Sequence, residues 1–270
     1  MFTKPHTMET HSYSDGEGCN FMRSQLETGI TMQQISEHVW IIPKNPDPWA
    51  VQPNVGVIIL PDQTILVDAG NGPKQAQSIM RALIAMKAPP VRHVIYTHHH
   101  WDHTFGGDIY GANVIAHQRC YEHLKRQMTE PWSDEYIAER IAELPELAQG
   151  FRALANAIDS WAYFRLRLPT MTFTKNLTFH FDTITLHLEH IGGQHADDSI
   201  TVHVVEDGVL FLGDCFYPPI PPQRKPDDTL DAAMLKKLLN DNISCYIDGH
   251  GEPFGEEGIY QRIEEAEKGK

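Results

Sequence analysis

The chain has 270 residues, of which 41% are hydrophobic and 21% are charged, a composition typical of a globular protein and not of a disordered one. Its formal net charge of −14 would repel a phosphate backbone, so we expect no nucleic-acid partner. The four cysteines are widely spaced and include no C-x-x-C pair, so neither a zinc ribbon nor a disulfide framework is indicated: Cys19, Cys120, Cys215 and Cys245.

Nothing in the sequence predicts insertion into a membrane. The first 20 residues lack the apolar core of a signal peptide, and no segment approaches the ~18 continuous apolar residues of a membrane span. Unpaired thiols fit a reducing compartment. We therefore expect a cytoplasmic protein without a membrane partner. Residues 1 to about 30 are polar and predict a loose N-terminal arm, followed by a single domain over residues 31–270.

The first half of that domain reads as strands interrupted by one helix. Apolar runs bounded by turn residues predict strands over 39–42, 55–60, 65–67, 91–96 and 114–116. Between 74 and 87 the apolar residues follow helical spacing, and Pro89-Pro90 stops that helix.

The second half repeats this order. Strands are predicted over 183–188, 200–205, 209–212 and 245–247, with helices near 230–239 and 256–267. Two successive sets of strands, each finished with helices, predict two sheets packed face to face with helices outside.

A long segment between the halves, residues 117–168, has a helical pattern. One stripe recurs every three or four residues: Phe151, Leu154, Ile158, Trp161, Arg165 and Leu168. The stripe favours a helix packed on its own domain. Two alternatives stay open, a homodimer contact and a wall of a substrate cleft.

The stretch THHHWDH, residues 97–103, places four histidines and an aspartate directly after a predicted buried strand. Because alternate residues of an extended chain point the same way, His98 and His100 can hold one cation. Asp102 and His103 follow on the next bend, where they would face a second cation. His99 and Trp101 should point elsewhere.

One turn cannot complete two coordination spheres, because zinc generally takes about four ligands. Three further candidates lie in predicted loops with a glycine within three residues: His195 in GGQHADDS, Asp214 in FLGDC and His250 in DGHGEP. The pattern predicts that these loops meet the histidine turn. Six further histidines are interpreted as ordinary surface or core residues: His93, His117, His123, His180, His187 and His203.

These residues give the chain a resemblance to the metallo-β-lactamase superfamily over roughly residues 39–253. The order of the candidate ligands matches, as do VDAG (67–70), LFLGD (210–214) and GHG (249–251). The resemblance implies an α/β fold, a four-layer αββα sandwich, here with the extra helical segment near 117–168.

By the same resemblance, one metal would take His98, His100 and His195, and the other would take Asp102, His103 and His250, with Asp214 bridging them. The expected cofactor is two zinc ions, with iron or manganese as alternatives.

Some positions depart from the family's pattern. The usual D-H-x-G-G is one residue longer here, DHTFGG (102–107), and Gln194 and Ala196 flank His195 where glycine and Thr or Ser are common. Zinc β-lactamases of the commonest type have Cys at the Asp214 position. They are also exported, whereas no signal peptide is predicted here, and this difference counts against antibiotic resistance as the main task.

Two more residues are predicted to contact substrate. Tyr217 stands three residues after Asp214, an offset that resembles the acyl-homoserine lactonase branch, where a tyrosine contacts the substrate carbonyl. Trp49 lies in a proline-rich loop that overhangs the site in the family, and its alternative role is to cover the sandwich edge.

The chemistry expected from two adjacent cations is hydrolysis by a metal-bound hydroxide, because metal binding lowers the pKa of water from ~15.7 towards ~7. Asp102 would orient that hydroxide and transfer its proton. We therefore expect a dinuclear zinc hydrolase acting on a carbonyl of a small molecule: an ester, lactone, thioester or lactam. The alternatives are an iron-dependent redox or sulfur-oxidising protein and a phosphodiesterase.

Overall fold

The computed structural model describes residues 9–14, 19–25 and 30–268. Its strands are β1 (Glu9–Ser14), β2 (Asn20–Gln25), β3 (Thr31–Gln34), β4 (Val39–Ile42), β5 (Val55–Ile59), β6 (Thr64–Val67), β7 (Val91–Ile95), β8 (Asn113–His117), β9 (Met171–Phe173), β10 (Asn176–His180), β11 (Thr185–His190), β12 (Ile200–Val204), β13 (Val209–Gly213) and β14 (Cys245–Asp248). Its α-helices are α1 (Pro73–Ala85), α2 (Trp101–Thr104), α3 (Gln118–Gln127), α4 (Asp134–Glu143), α5 (Ala148–Ala157), α6 (Ala232–Leu238) and α7 (Glu256–Lys268).

Within this described part of the chain, the strands form two mixed sheets. The first has nine strands, β1 to β9 in chain order, antiparallel as far as β6 and parallel from there to β9. The second has five, β10 to β14, antiparallel except for the parallel pair β13 and β14. Parallel neighbours need a crossover, which α1 supplies between β6 and β7 and α6 supplies between β13 and β14.

The two sheets pack face to face across a shared apolar core. Strands of the first sheet contribute Ile41, Ile58, Ile65 and Ile95, and strands of the second contribute Leu186, Leu188, Val202, Phe211 and Ile247. Gly56 on β5 marks a close approach of the two sheets, because a Cβ there would lie 2.5 Å from the Phe211 ring. Alternate residues of each strand therefore face this core, as the period of two requires.

Helices cover the outer face of each sheet. On the first sheet, α1 and α3 bury Ile79, Leu83, Cys120 and Leu124. On the second, α6 and α7 bury Leu235, Leu238, Ile259 and Ile263. The layers are thus helix, sheet, sheet and helix, which confirms the predicted four-layer α/β sandwich.

The helical segment between the two halves is shorter than predicted. Helices α3, α4 and α5 occupy it, but α5 ends at Ala157 and Ile158 adopts an extended backbone, φ −95° and ψ 123°. The predicted helical stripe therefore does not continue through Trp161 to Leu168. The physical reason is that the chain must run back along the first sheet to β9, while Trp161 and Phe164 still join the apolar cluster beneath α4 and α5.

The N-terminal region also differs from the expected loose arm. Residues 1–8, 15–18 and 26–29 lie outside the described residues, and where the structure does describe this part of the chain it forms β1 and β2. These strands extend the first sheet beyond β3 through backbone pairing. Edge pairing needs no apolar run, so the polar stretch ETHSYS gives no sequence signal of a strand. The domain boundary at residue 31 stays a prediction.

Candidate metal centre

The histidine turn lies where β7 leaves the first sheet. After Ile95 the chain runs through the turn to His100, whose extended backbone caps the single-turn helix α2. The rings of His98 and His100 lie on the same side of the chain, as alternate residues of an extended chain should, with centroids 4.6 Å apart and 74° between their planes. Asp102 and His103 lie on α2 and are both buried.

The second sheet supplies the other candidates from three loops. His195 lies between β11 and β12, Asp214 directly follows β13, and His250 follows β14. Since β13 and β14 are parallel, their carboxyl ends open at the same edge of the sheet. The structure therefore brings these three loops to the histidine turn.

One group of donors consists of three imidazoles. His98, His100 and His195 can each offer a ring nitrogen, and these atoms all lie within 4.8 Å of one another. The Nε2 of His195 is 3.0 Å from the Nδ1 of His100. Either ring could donate to the other at this distance, and in the tautomers that turn both lone pairs inwards the three nitrogens could share a cation.

A second group consists of Asp102, His103 and His250. The Asp102 Oδ2 lies 3.2 Å from the Nε2 of His250 and 3.5 Å from the Nε2 of His103. This group faces the same space as the three imidazoles from the side of α2.

Asp214 lies between the two groups. Its Oδ2 is 3.5 Å from the Nε2 of His195, 3.5 Å from that of His103 and 3.2 Å from that of His250. One carboxylate thus contacts histidines of both groups, which is the position that a bridging ligand requires.

The donor set fits bound cations. The Nε2 atoms of His98 and His103 and the Oδ1 of Asp214 are buried and have no hydrogen-bond partner. Buried polar atoms without partners are costly and rare, so a group of them converging on one space indicates a missing positive partner. Nitrogen and carboxylate oxygen are ligands that zinc accepts.

Neighbouring residues orient these ligands. The Asp68 Oδ2 accepts a 2.7 Å hydrogen bond from the Nδ1 of His103, and its two oxygens also accept from the backbone and hydroxyl of Thr97. His195 uses its Nδ1 to bond the Pro218 carbonyl at 2.8 Å. In both rings the Nε2 is thereby left to face the centre. Second-sphere hydrogen bonds orient ligating histidines in the same way in metal sites.

The electrostatics hold two of the ligands neutral. Burial, and then the neighbouring imidazoles, keep the pKa of His98 well below its ordinary value. Burial and the neighbouring His195 lower the pKa of His100 to about 3. Both rings therefore keep their lone pairs at neutral pH.

Near the carboxylates of the centre, the histidine pKa values are raised instead of lowered. Burial alone would lower the pKa of His250, but Asp214 and Asp102 outweigh it and raise that pKa to about 10. The pKa of His103 is also raised, because Asp102 and Asp214 outweigh its burial. The two carboxylates have lowered pKa values in turn, so without metal the centre holds ionised acids and protonated histidines.

Tyr217 lies between the two histidine groups. Its ring centroid is 6.1 Å from that of His195 and 6.2 Å from that of His250. Burial and the charge of the buried Asp248 carboxylate raise the pKa of Tyr217 well above its ordinary value. Asp248 also accepts from the backbone N–H of His250 at 3.1 Å, so it supports the loop of His250.

Trp49 lies on a 3-10 turn, Pro48–Ala50, and its side chain is 65% exposed. The Asn71 side chain holds this turn by donating to the carbonyls of Ala50 and Val51, and Gln149 of α5 donates to the Pro48 carbonyl at 3.4 Å. Whether Trp49 contacts substrate stays a prediction.

The two residues expected to point away from the centre have other partners. Trp101 packs against the apolar cluster that contains Phe105 and Trp132. His99 bonds Asp198 through its Nδ1 at 2.8 Å.

Sequence reasoning does not single out Asp68, Thr97 or Asp248 as supporting residues. Asp68 stands in VDAG and Asp248 in DGHG, stretches already quoted as matching motifs, so their proximity to ligands is the available signal. Their partners are distant in sequence, and spacing alone does not reveal such contacts.

Comparisons with known proteins agree with this geometry. Residues 48–250 match the family model of the metallo-beta-lactamase superfamily. The chain therefore belongs to the metallo-β-lactamase superfamily. No curated protein matches it.

Several solved structures share the fold. A metallo-beta-lactamase family protein from Thermus thermophilus aligns with a TM-score of 0.58 and 17% identity, over 84% of this chain and 77% of that one. A metallo-beta-lactamase from Erythrobacter litoralis, with beta mercaptoethanol in its active site, gives 0.53 and 19% over 96% and 100%. One from Pontibacter korlensis gives 0.54 and 14% over 96% and 99%. At these identities the likeness establishes the fold alone.

No helix in the described ranges, 9–14, 19–25 and 30–268, has both the length and the apolar composition of a membrane span.

Proposed function

We propose that this protein is a dinuclear zinc-dependent hydrolase that cleaves a carbonyl compound, namely a small ester, lactone, thioester or lactam. The observation that carries the proposal is the position of Asp214, whose Oδ2 lies within 3.5 Å of histidines from both donor groups. Two divalent cations held there would lower the pKa of a shared water towards ~7 and polarise a carbonyl.

The candidate ligands would be shared between two metal ions according to their positions. His98, His100 and His195 would hold one ion, Asp102, His103 and His250 the other, and Asp214 both. Neutral imidazoles and two carboxylates leave the centre positively charged overall once loaded, which suits an electron-rich carbonyl oxygen.

Asp102 is proposed as the general acid–base. Burial alone would raise its pKa, but His103 and His250 outweigh burial and keep the carboxyl ionised. An ionised carboxylate at the edge of the centre can accept a proton from the attacking water and return it to the leaving group.

Tyr217 and Trp49 are proposed to contact the substrate. The Tyr217 ring lies beside His195 and His250, on the side of the centre bounded by the proline-rich segment that follows it. A groove of roughly 530 Å³ begins at His195 and Tyr217 and runs along Pro219 and Leu230. Its size suits a small molecule, and its lining combines apolar side chains with the charged Arg224, Asp228 and Glu265.

The test uses full-length protein stripped by a chelator and then reloaded with Zn²⁺. Lactones, thioesters, esters, β-lactams and phosphodiesters are assayed in parallel. We expect hydrolysis of at least one carbonyl substrate to disappear in the stripped protein and to return with zinc. Unchanged activity in metal-free protein would refute the proposal.

Two variants sharpen the test. Asp102→Asn should lower kcat by roughly 10²- to 10⁴-fold if the carboxylate transfers protons. His180→Asn, an exposed change on β10, is the matched control and should leave activity unchanged. Elemental analysis of protein purified without added metal separates zinc from iron, and iron as the native metal would favour the redox alternative, since histidine and carboxylate donors also suit iron.

A further inference from the structure

A third group of metal-ligating side chains lies outside the centre described above. His99, His123 and Asp198 each offer one donor atom, and these atoms all lie within 4.8 Å of one another. His99 belongs to the same turn as His98 and His100 but points to the opposite side, towards α3. None of its partners here contributes to the two groups that meet at Asp214.

Asp198 is the unusual member of this group. Its side chain is fully buried, yet only Oδ1 has a hydrogen-bond partner, the Nδ1 of His99 at 2.8 Å. Its Oδ2 is buried without one. The Cys120 thiol lies close by, and burial and the Asp198 charge raise its pKa, so it stays protonated and is only a weak donor towards this carboxylate. A buried carboxylate that has one imidazole and a weak thiol donor is still under-compensated, and a cation would complete it.

A second carboxylate borders the same space. The Asp197 Oδ1 lies 2.7 Å from the Nε2 of His123, and its Oδ2 lies 3.4 Å from Arg119. Two imidazoles and two carboxylates therefore meet at one place, from three separate elements: the histidine turn, α3 and the loop between β11 and β12. Four nitrogen and oxygen donors match the number that a closed structural zinc site uses.

We propose that His99, His123 and Asp198 form an additional site for a zinc-like divalent cation, with Asp197 as the fourth donor. The site is separate from the seven-residue centre. It does not depend on the proposed hydrolase function.

Binding requires a local rearrangement at the exposed side of the site. The His99 and His123 rings are stacked, with centroids 4.0 Å apart and 13° between their planes, so a cation cannot lie in both ring planes at once. The His123 side chain is 26% exposed and must turn, which breaks its 2.7 Å contact with Arg126. The cost of that movement makes this site weaker than the buried centre.

A cation here would have a structural consequence for the centre. Asp198 lies three residues after His195, and His99 lies between His98 and His100. The site would therefore fasten the loop that carries one ligand to the turn that carries two others.

The experiment measures metal content. Full-length protein is stripped and dialysed to equilibrium against a fixed concentration of free Zn²⁺, and the zinc in excess of the dialysate is measured by plasma mass spectrometry for the wild type and for His123→Asn. His123 is partly exposed on α3, so its replacement should not prevent folding, which circular dichroism checks. We expect His123→Asn to hold one zinc equivalent less than the wild type.

The control is His180→Asn, the same replacement at an exposed histidine on β10. It should hold as much zinc as the wild type. Because the readout is a difference, it is the same whether the seven-residue centre holds two ions, one or none. Equal zinc content in the wild type and His123→Asn would overturn the proposal and would mean that these side chains only hydrogen-bond one another. An equal loss of zinc in His180→Asn would also overturn it, because the lost zinc would then be bound non-specifically.

Discussion

Asp68 connects the metal centre to the first sheet at the scale of a single residue. It directly follows β6 with a left-handed backbone, φ 66°, and its carboxylate accepts hydrogen bonds from His103 and Thr97. Aspartate and asparagine tolerate this backbone better than most residues. The side chain and the strained backbone together set the direction of the His103 ring.

Asp68→Asn should therefore weaken metal binding while leaving the fold intact. Asparagine keeps the left-handed backbone but loses the charge that holds the His103 tautomer, and such second-sphere changes typically cost about 10- to 100-fold in metal affinity. Zinc affinity can be measured by competition with a chromophoric chelator. Asp62→Asn, in the exposed turn between β5 and β6, is the control. Equal affinities for the two variants would contradict the role.

The protonated histidines make a second prediction at this scale. In the metal-free protein His250, with a pKa of about 10, and His103, with its raised pKa, both carry a proton at neutral pH. Zinc binds only neutral imidazole, so loading the centre should release about two protons, and affinity should rise with pH between roughly 6 and 9.

Calorimetric titrations with zinc in two buffers of different ionisation enthalpy count the released protons. Zinc affinity should fall as the pH falls, because the raised pKa values keep both histidines protonated in the metal-free protein. Zinc must displace these protons, and the displacement costs more at lower pH. A buffer-independent heat would show that both histidines are neutral before binding.

Among the structural elements around the centre, the loop that joins β14 to α7 is tightly packed. Gly249 lies against the centre so closely that a Cβ would be 2.1 Å from the Asp214 Oδ1 and 2.8 Å from the His103 ring. Asn54 fixes the loop from the first sheet, because its side chain donates to the carbonyls of Asp248 and Gly251 at 2.8 Å. The loop therefore has little room to yield.

Gly249→Ala should displace Asp214 or His250 and reduce metal content by at least one equivalent. Plasma mass spectrometry of the reloaded variant is the measurement. Gly150→Ala on α5 is the matched control, because a Cβ there meets nothing within 4 Å and alanine in a helix is favoured by roughly 0.5–1 kcal/mol. Wild-type metal content in Gly249→Ala would mean that the loop can move away.

At the scale of the whole molecule, polar contacts as well as the core hold the two sheets together. At the edge formed by the turns, Asp207 between β12 and β13 accepts hydrogen bonds from the Ser36 hydroxyl and from the His38 backbone at 2.9 Å. Its other oxygen lies 2.9 Å from the His38 ring. This contact spans the sandwich from the second sheet to the turn between β3 and β4.

Asp207→Ala should destabilise the fold by about 1–3 kcal/mol, since it leaves the donors of Ser36 and His38 without their acceptor. Burial alone would raise the pKa of Asp207, but the hydrogen bonds outweigh burial and lower it. The contribution is thus present above the unfolded pKa of ~3.9 and is lost as the pH falls through the lower folded value.

Urea unfolding at neutral pH and at a pH of about 3 checks this prediction, because the two conditions lie on either side of the unfolded pKa. The difference between wild type and variant should be full at neutral pH and smaller in acid. Asp182→Ala, in the exposed turn between β10 and β11, serves as the control and should change stability little. A difference that does not depend on pH would show that the charge of Asp207 is not what stabilises the contact.

Local sequence patterns predicted the strands around the candidate centre and named its candidate ligands. Buried strands such as β5 and β13 are continuous apolar runs, which the local sequence reveals. The spacing of His98, His100, Asp102 and His103 is also local, because four donors within six residues after a strand can only occupy one turn. For such features the information lies within a few residues of chain.

Contacts between residues that are far apart in the sequence became visible only in the folded chain. The pairing of Asp68 with His103, of Asp198 with His99 and of Asp207 with His38 joins residues that are 35 to 169 positions apart. The early end of α5 and the polar edge strands β1 and β2 depend likewise on where the chain must go and on what it pairs with. A buried polar group is stabilised by its partner in space, and the pattern of neighbouring residues along the chain does not name that partner.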